Sequence, residues 1–245
     1  MSGDVGVGPE AEAVQGAAAG GAGEPGRSLA GRLLDTVVSP GRMVREVAER
    51  PRWIGALLVA AALVALSTAL IPPELFAEMQ RRYALERGMP EPTFAEGTLT
   101  LIRVFSVLGG MVGFLVVSFL FAGVYTFVFA FVLGDEATYK QYLAVSAHAS
   151  FIPALASLFL VPLRIQAGDP QLTLNLGSLL FFLDGGYLYS ALRFLDLTQI
   201  WASLVTAAGA HAIDRRRSFA SAAAILVGIL LVSALVVGRF APAAP

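Results

Sequence analysis

Between Arg103 and Asp135 the chain runs for 31 residues without a charged side chain. As a helix that run would rise about 46 Å at about 1.5 Å per residue, beyond the ~30 Å hydrocarbon core of a bilayer but too short for two crossings and a turn. It reads as one long or tilted membrane span over residues 104–133. Further charge-free runs cover 53–72, 142–163 and 218–238, each long enough to cross. The first carries Trp53 as an interfacial anchor and stops at the Pro72-Pro73 pair. With 56% hydrophobic and 14% charged residues, the chain is an all-α polytopic membrane protein, and the lipid bilayer is its first partner.

The remaining span, fourth in chain order, is the least apolar. From Leu197 to Ile213 the chain is uncharged for 17 residues, about 25 Å of helix and near the lower limit for crossing. Asp196, Gln199, Ser203, Thr206 and Ala210 recur every three or four residues, gathering polar and small side chains into a stripe that should face protein rather than lipid. Asp196 and Gln199 fit a capping box, in which the carboxylate accepts from first-turn amides and the Gln reaches back. An acidic residue within a span would otherwise point to an ion path, but Asp196 stands at the start of its helix, where a cap is needed. Arg215, Arg216 and Arg217 follow the span, and a basic cluster in that position marks the cytoplasmic side. The same triplet could also contact anionic lipid.

The rest of the domain plan follows in chain order. Residues 1–27, rich in Gly, Ala and acidic side chains, are expected to form a disordered tail without a signal peptide. Residues 28–52 hold two short cytoplasmic helices, the second opened by Ser39 as N-cap and Pro40 as first residue. On the first, Leu29, Leu33, Leu34 and Val37 oppose Arg32 and Asp35. On the second, Met43, Val44, Val47 and Ala48 oppose a charged face that includes Arg42, Arg45 and Glu46, so this amphipathic helix is expected in the headgroup layer or packed on the ends of the bundle. The membrane domain covers 53–239, with a soluble loop after Pro73 that holds one short helix. Residues 170–186 are too short to cross and read as re-entrant or interfacial. A short tail, 240–245, ends the chain. Gly109 and Gly113 form GxxxG, read as bundle packing ahead of a dimer interface. With the amino end inside, the cytoplasmic segments hold Arg27, Arg32, Arg42, Arg45, Arg50, Arg52, Lys140 and Arg215 to Arg217, leaving seven basic residues elsewhere; the carboxyl end then lies outside the cell. The location expected is a bacterial inner membrane.

Little points to chemistry. There is no cysteine, which removes thiol nucleophiles, disulfides and cysteine zinc sites. His148 and His211 are the two histidines, in the third and fourth spans. With Asp214 they could approach a metal-like arrangement, but no HExxH spacing accompanies them, and a hydrogen-bonded histidine is the preferred reading. No GxSxG or GxxxxGK[ST] motif occurs, so no enzyme, cofactor or metal is expected, and a net charge of −1 gives no reason to expect a nucleic-acid partner.

Three segments, SPGRMVREVAERPRW, GDEATYKQYLAVSAHASFIPAL and RFLDLTQIWASLVTAAG, occur in that order on the five-span layout. Together they resemble bacterial members of the Yip family, named for Ypt/Rab-interacting proteins, across roughly Leu29 to Val237. The second segment contributes His148 and Pro153, the third Trp201. His148 departs from the pattern, standing where an aromatic is expected. The resemblance implies five helices, a cytoplasmic amino end and a non-enzymatic membrane organiser. Relatives in eukaryotes are associated with Rab GTPases and vesicle traffic, a partner that does not carry over to a bacterium. A membrane or cytoplasmic protein, or a second copy of the chain, is the partner class this leaves. The rival reading is a small transporter or channel with a polar path lined by Asp196, Gln199, Ser203 and Thr206.

Overall fold

The structure, a computed structural model, describes residues 27–95, 97–180 and 186–240. The tails expected at 1–27 and 240–245 lie outside the described residues except for Arg27 and for Phe240, which ends the last helix. Among those described, all regular structure is helical apart from one isolated bridge between Asn175 and Asp196.

Two short helices open the fold, α1 (Leu29–Val38) and α2 (Pro40–Glu49). Ser28 caps α1 by accepting the Gly31 N–H at 3.2 Å. Pro40 starts α2 as expected, but the Ser39 hydroxyl does not cap it; it accepts weakly from Arg42 instead. On α2, Met43, Val44, Val47 and Ala48 are buried, the first three against Val145 and Val205 of two bundle helices, so this helix packs on the bundle and its apolar side is not offered to lipid. On α1 the expected apolar face is split: Leu33 is buried and Leu29 packs beside it, but Leu34 and Val37 are exposed, while Arg32 and Asp35 of the expected polar face are buried with Thr36.

Helix α3 (Ile54–Leu70) stops before Pro72-Pro73 as read from sequence, and α4 (Pro73–Glu86) leaves it at 82°. The long run becomes α5 (Thr98–Thr126), extended by a π-helical turn at Phe127–Val132 and stopped at Gly134, whose φ of 73° favours glycine. The third span is not one rod. It divides into α6 (Tyr139–Ala149), α7 (Phe151–Phe159) and α8 (Val161–Ala167). Pro153 and Pro162 lack the N–H that would bond the carbonyls of Ala149 and Leu158, so the ladder yields just before each. Then come α9 (Leu176–Leu179), α10 (Gly186–Phe194), α11 (Leu197–Ile213) and α12 (Phe219–Phe240). Residues 181–185, within the stretch read as re-entrant or interfacial, lie outside the described residues.

Among the described residues three helices pass as membrane-crossing by length and composition, Thr98–Val132, Tyr139–Phe159 and Phe219–Phe240, with a fourth if bent α3 and α4 count as one span. Helix α11, at 17 residues, falls just short of that length. It is nonetheless the central element. Its Ala202 and Val205 meet α2 and α6, and its Ala207 and Ala210 meet Phe129, Tyr142 and α12. A Cβ added at Gly209 would lie 2.3 Å from a Val145 methyl carbon, so the α6–α11 approach depends on that glycine. By contrast only 11% of the most apolar part of the long helix is covered, against 44% of Tyr139–Phe159, which places α5 on the periphery and α6–α7 inside.

Candidate functional site, a cavity inside the bundle

A cavity of about 660 Å³ lies between α3, α5, α6, α7, α11 and α12. Its wall combines apolar side chains such as Val64, Phe114, Val117 and Leu230 with hydroxyls from Ser118, Ser146, Ser150, Ser157, Ser203 and Thr206. The hydroxyls are there because a helix can accommodate Ser and Thr by back-bonding to the preceding turn. Ser118 donates to Phe114 O, Ser203 to Gln199 O and Thr206 to Ala202 O, all at 2.8–2.9 Å. Thus these three donors are satisfied within their own helix, whereas Ser157 bonds Ser67 of α3 at 2.8 Å.

The stripe read on α11 is the cavity wall: Asp196, Gln199, Ser203 and Thr206 all line it, as does Pro153 at the α7 bend. Asp196 is the N-cap, its Oδ1 accepting from Thr198 N at 2.7 Å and Gln199 N at 3.3 Å, with the Thr198 hydroxyl as a further donor. The reciprocal half of the expected box does not form, because the Asp196 N–H bonds Phe194 O. A complete capping box forms elsewhere, Thr138 with Gln141 at the start of α6, where the signal T-x-x-Q stood in the sequence. Trp201 does not reach the cavity and is exposed on the outer side of α11.

Arg164 and Arg193 were not singled out by sequence reading, yet both line the end of the cavity near Asp196. Arg164, 9% exposed, donates through Nε to Leu172 O at 2.9 Å and through Nη1 to Ser157 Oγ at 3.1 Å. Arg193 faces Asp169 at 3.7 Å. The sequence signal available was position: Arg164 ends a charge-free run, and a cation there reads equally as an interfacial residue.

At the opposite end of α11 the basic triplet is a clasp. Arg217 forms a two-pronged bond to Asp135 at 2.6 and 3.0 Å, and Arg216 bridges Asp214 at 2.8 Å and Glu136 at 3.2 Å. Asp214 also accepts the Glu136 N–H at 2.9 Å. The bonded Arg216 guanidinium, with the amides of Glu136 and Arg216, holds the Asp214 carboxyl well below the usual carboxylate range. Bonding to Asp214 and Asp135 respectively raises Arg216 and Arg217 above the ordinary arginine value. Two of the three arginines therefore tie the α11–α12 turn to the link after α5, and Arg215 is left exposed.

The histidines serve separate contacts. His148, fully buried, bonds Ala144 O through Nδ1 and lies 3.4 Å from Arg32 Nε, anchoring α1. His211 bonds Arg217 O at 2.7 Å. Among the described residues no group of three His, Asp or Glu side chains is placed to hold a metal. The GxxxG reading needs correction: Gly109 and Gly113 have nothing within 4 Å of an added Cβ, so they point away from the bundle, while Gly110 approaches Thr68 of α3.

Charge-free helices with apolar outer surfaces around a partly polar interior define a multi-pass α-helical membrane protein. The chain belongs to the Yip1 domain family, whose model matches residues 34–238 and so takes in all three segments on which the resemblance rested. It is similar to the Membrane protein YknW of Bacillus subtilis (strain 168), 26% identical over 212 residues that cover 84% of this chain and 89% of that relative. No solved structure matches it.

Proposed function

We propose that the chain is a five-span, non-enzymatic membrane protein that organises its membrane by holding another transmembrane helix against α5. Helix α11 is the fourth of these crossings in chain order, and the amino end is cytoplasmic in a bacterial inner membrane. The observation that carries this reading is the outward pair Gly109 and Gly113, set among exposed Phe105, Val112 and Val116 on a helix that the bundle leaves largely uncovered. Small residues one turn apart let a second backbone come close, and membrane helices associate through such close packing. The chain has no cysteine, so a single Gly113→Cys supplies a unique cross-linking handle. In native membranes it should give a discrete adduct, to a second copy or to another membrane protein, that Gly109→Leu abolishes. Val232→Cys, on the exposed side of α12, should not give that adduct. Equal labelling from both positions would refute the reading.

A second reading, a small transporter with a polar path along α11, is favoured by the cavity and its hydroxyl wall. It predicts solute flux in proteoliposomes that Asp196→Ala abolishes. Absence of such flux, with the α5 adduct intact, leaves the first reading standing alone.

A further inference from the structure

Three charged side chains line the cavity, and one of them, Arg193, is paired with Asp169; the other two, Arg164 and Asp196, carry opposite charges and are not bonded to each other. Arg164 is nine-tenths buried, and among the described residues no carboxylate oxygen lies within 4.0 Å of its guanidinium. Its bonds go to the Leu172 carbonyl and the Ser157 hydroxyl through Nε and Nη1, and Nη2 has no acceptor among the described residues. Asp196 uses Oδ1 for its three cap donors, and Oδ2 receives none among the described residues. Both side chains line the same space. The Arg164 charge is held in a poorly solvated place, where it is costly unless a partner completes it, while the half-buried Asp196 is held by its cap bonds and does not reach it.

A simple anion entering this space would be drawn to Arg164 and repelled by Asp196, and a simple cation the reverse. A molecule carrying both charges is favoured at both ends. Val64, Phe114, Val117 and Leu230 give the wall an apolar side, and α5 and α12 flank the cavity, with Ala222 and Leu226 of α12 packed on Phe129 of the turn that follows α5. A hydrocarbon chain can lie between them where that cluster ends. We propose that the cavity binds a zwitterionic amphiphile, its phosphate on Arg164, its ammonium on Asp196 and its hydrocarbon along the α5–α12 side. The inference rests on the cavity alone and is independent of the partner face on α5.

The test uses the full chain purified in mild detergent, with bound lipid counted by native mass spectrometry after exchange with phosphatidylethanolamine or phosphatidylglycerol vesicles, and with free phosphoethanolamine as competitor. Wild type should retain phosphatidylethanolamine about tenfold over phosphatidylglycerol, the scale of one hydrogen bond to a charged group. Asp196→Asn keeps Oδ1 for the cap, so the fold is retained and only the charge is lost. It should erase or reverse that preference, while Arg164→Gln should weaken retention of both lipids. Should Arg164→Gln not fold, the Asp196→Asn result decides. Retention of phosphatidylglycerol over phosphatidylethanolamine by wild type, or an unchanged preference in Asp196→Asn, would overturn the proposal. Displacement by free phosphoethanolamine as effectively as by the lipid would overturn the amphiphile and leave a soluble zwitterion in its place.

Discussion

Gly209→Ala tests the packing on which the whole bundle depends. The added methyl would sit 2.3 Å from Val145 Cγ1, 2.9 Å from Cγ2 and 3.1 Å from Cβ, where ordinary contact begins at 3.4 Å. Helices α6 and α11 would have to part by about 1 Å, or Val145 leave its rotamer, in a site where Val145 has no exposed surface. Overpacking of that kind costs about 2 kcal/mol. For a chain of this size that is a fall of about 4–8 °C in Tm. Val145→Ala alone should also destabilise, through lost packing. In the double variant the two offending methyl carbons are gone and the closest remaining contact is the 3.1 Å one, so the losses should be less than additive by about 1–2 kcal/mol. The assay is thermal unfolding in one detergent, followed by helical circular dichroism, across the four proteins of the cycle. Additive losses would refute the claim that Gly209 exists to admit Val145.

The clasp should respond to loss of either partner: Asp135→Asn, which leaves Arg217 without its carboxylate, should destabilise by about 2 kcal/mol in the same assay, and an unchanged Tm would mean that the pair contributes nothing. Asp214, with its folded-state pKa depressed, adds stability that is fully present above the unfolded value of about 3.9 and is lost as pH falls below it. The Tm of wild type should therefore drop more steeply below about pH 4 than that of Asp214→Asn, and parallel profiles would contradict the assignment. At the head of α11, Asp196→Asn should leave the unfolding free energy within about 0.5 kcal/mol of wild type, whereas Asp196→Ala should cost about 1 kcal/mol; equal effects would show that charge rather than capping matters there.

The parts of the fold legible in the sequence are those with local causes. Charge-free runs, the Pro72-Pro73 stop, Pro40 at a helix start, Gly134 at a helix end and Asp196 as a cap all act within one turn of their own backbone. The bend of the third span at Ser150 and Leu160 had its cause in view, in Pro153 and Pro162, but a span is counted by apolar length and so reads as one rod. The cavity was half legible. The α11 stripe named one wall, while Arg164 and Arg193 come from segments whose approach to Asp196 depends on how the chain after α7 folds back.

Alone, then, the sequence determined where helices run, which stretches suit a bilayer and which face of α11 is polar, because each follows from spacing along one chain segment. Tertiary structure decided what every face meets. In a membrane protein an apolar face can be turned to lipid or to protein at similar cost, so periodicity cannot tell α1, with Leu34 outward and Arg32 inward, from the opposite arrangement. For the same reason the glycines sorted only in three dimensions: Gly209 and Gly110 admit neighbouring helices, and Gly109 and Gly113 face out. The arginine triplet, read as a marker of the cytoplasmic side, became a clasp once Asp135 and Glu136 were carried to it by the end of a helix some 80 residues earlier in the chain.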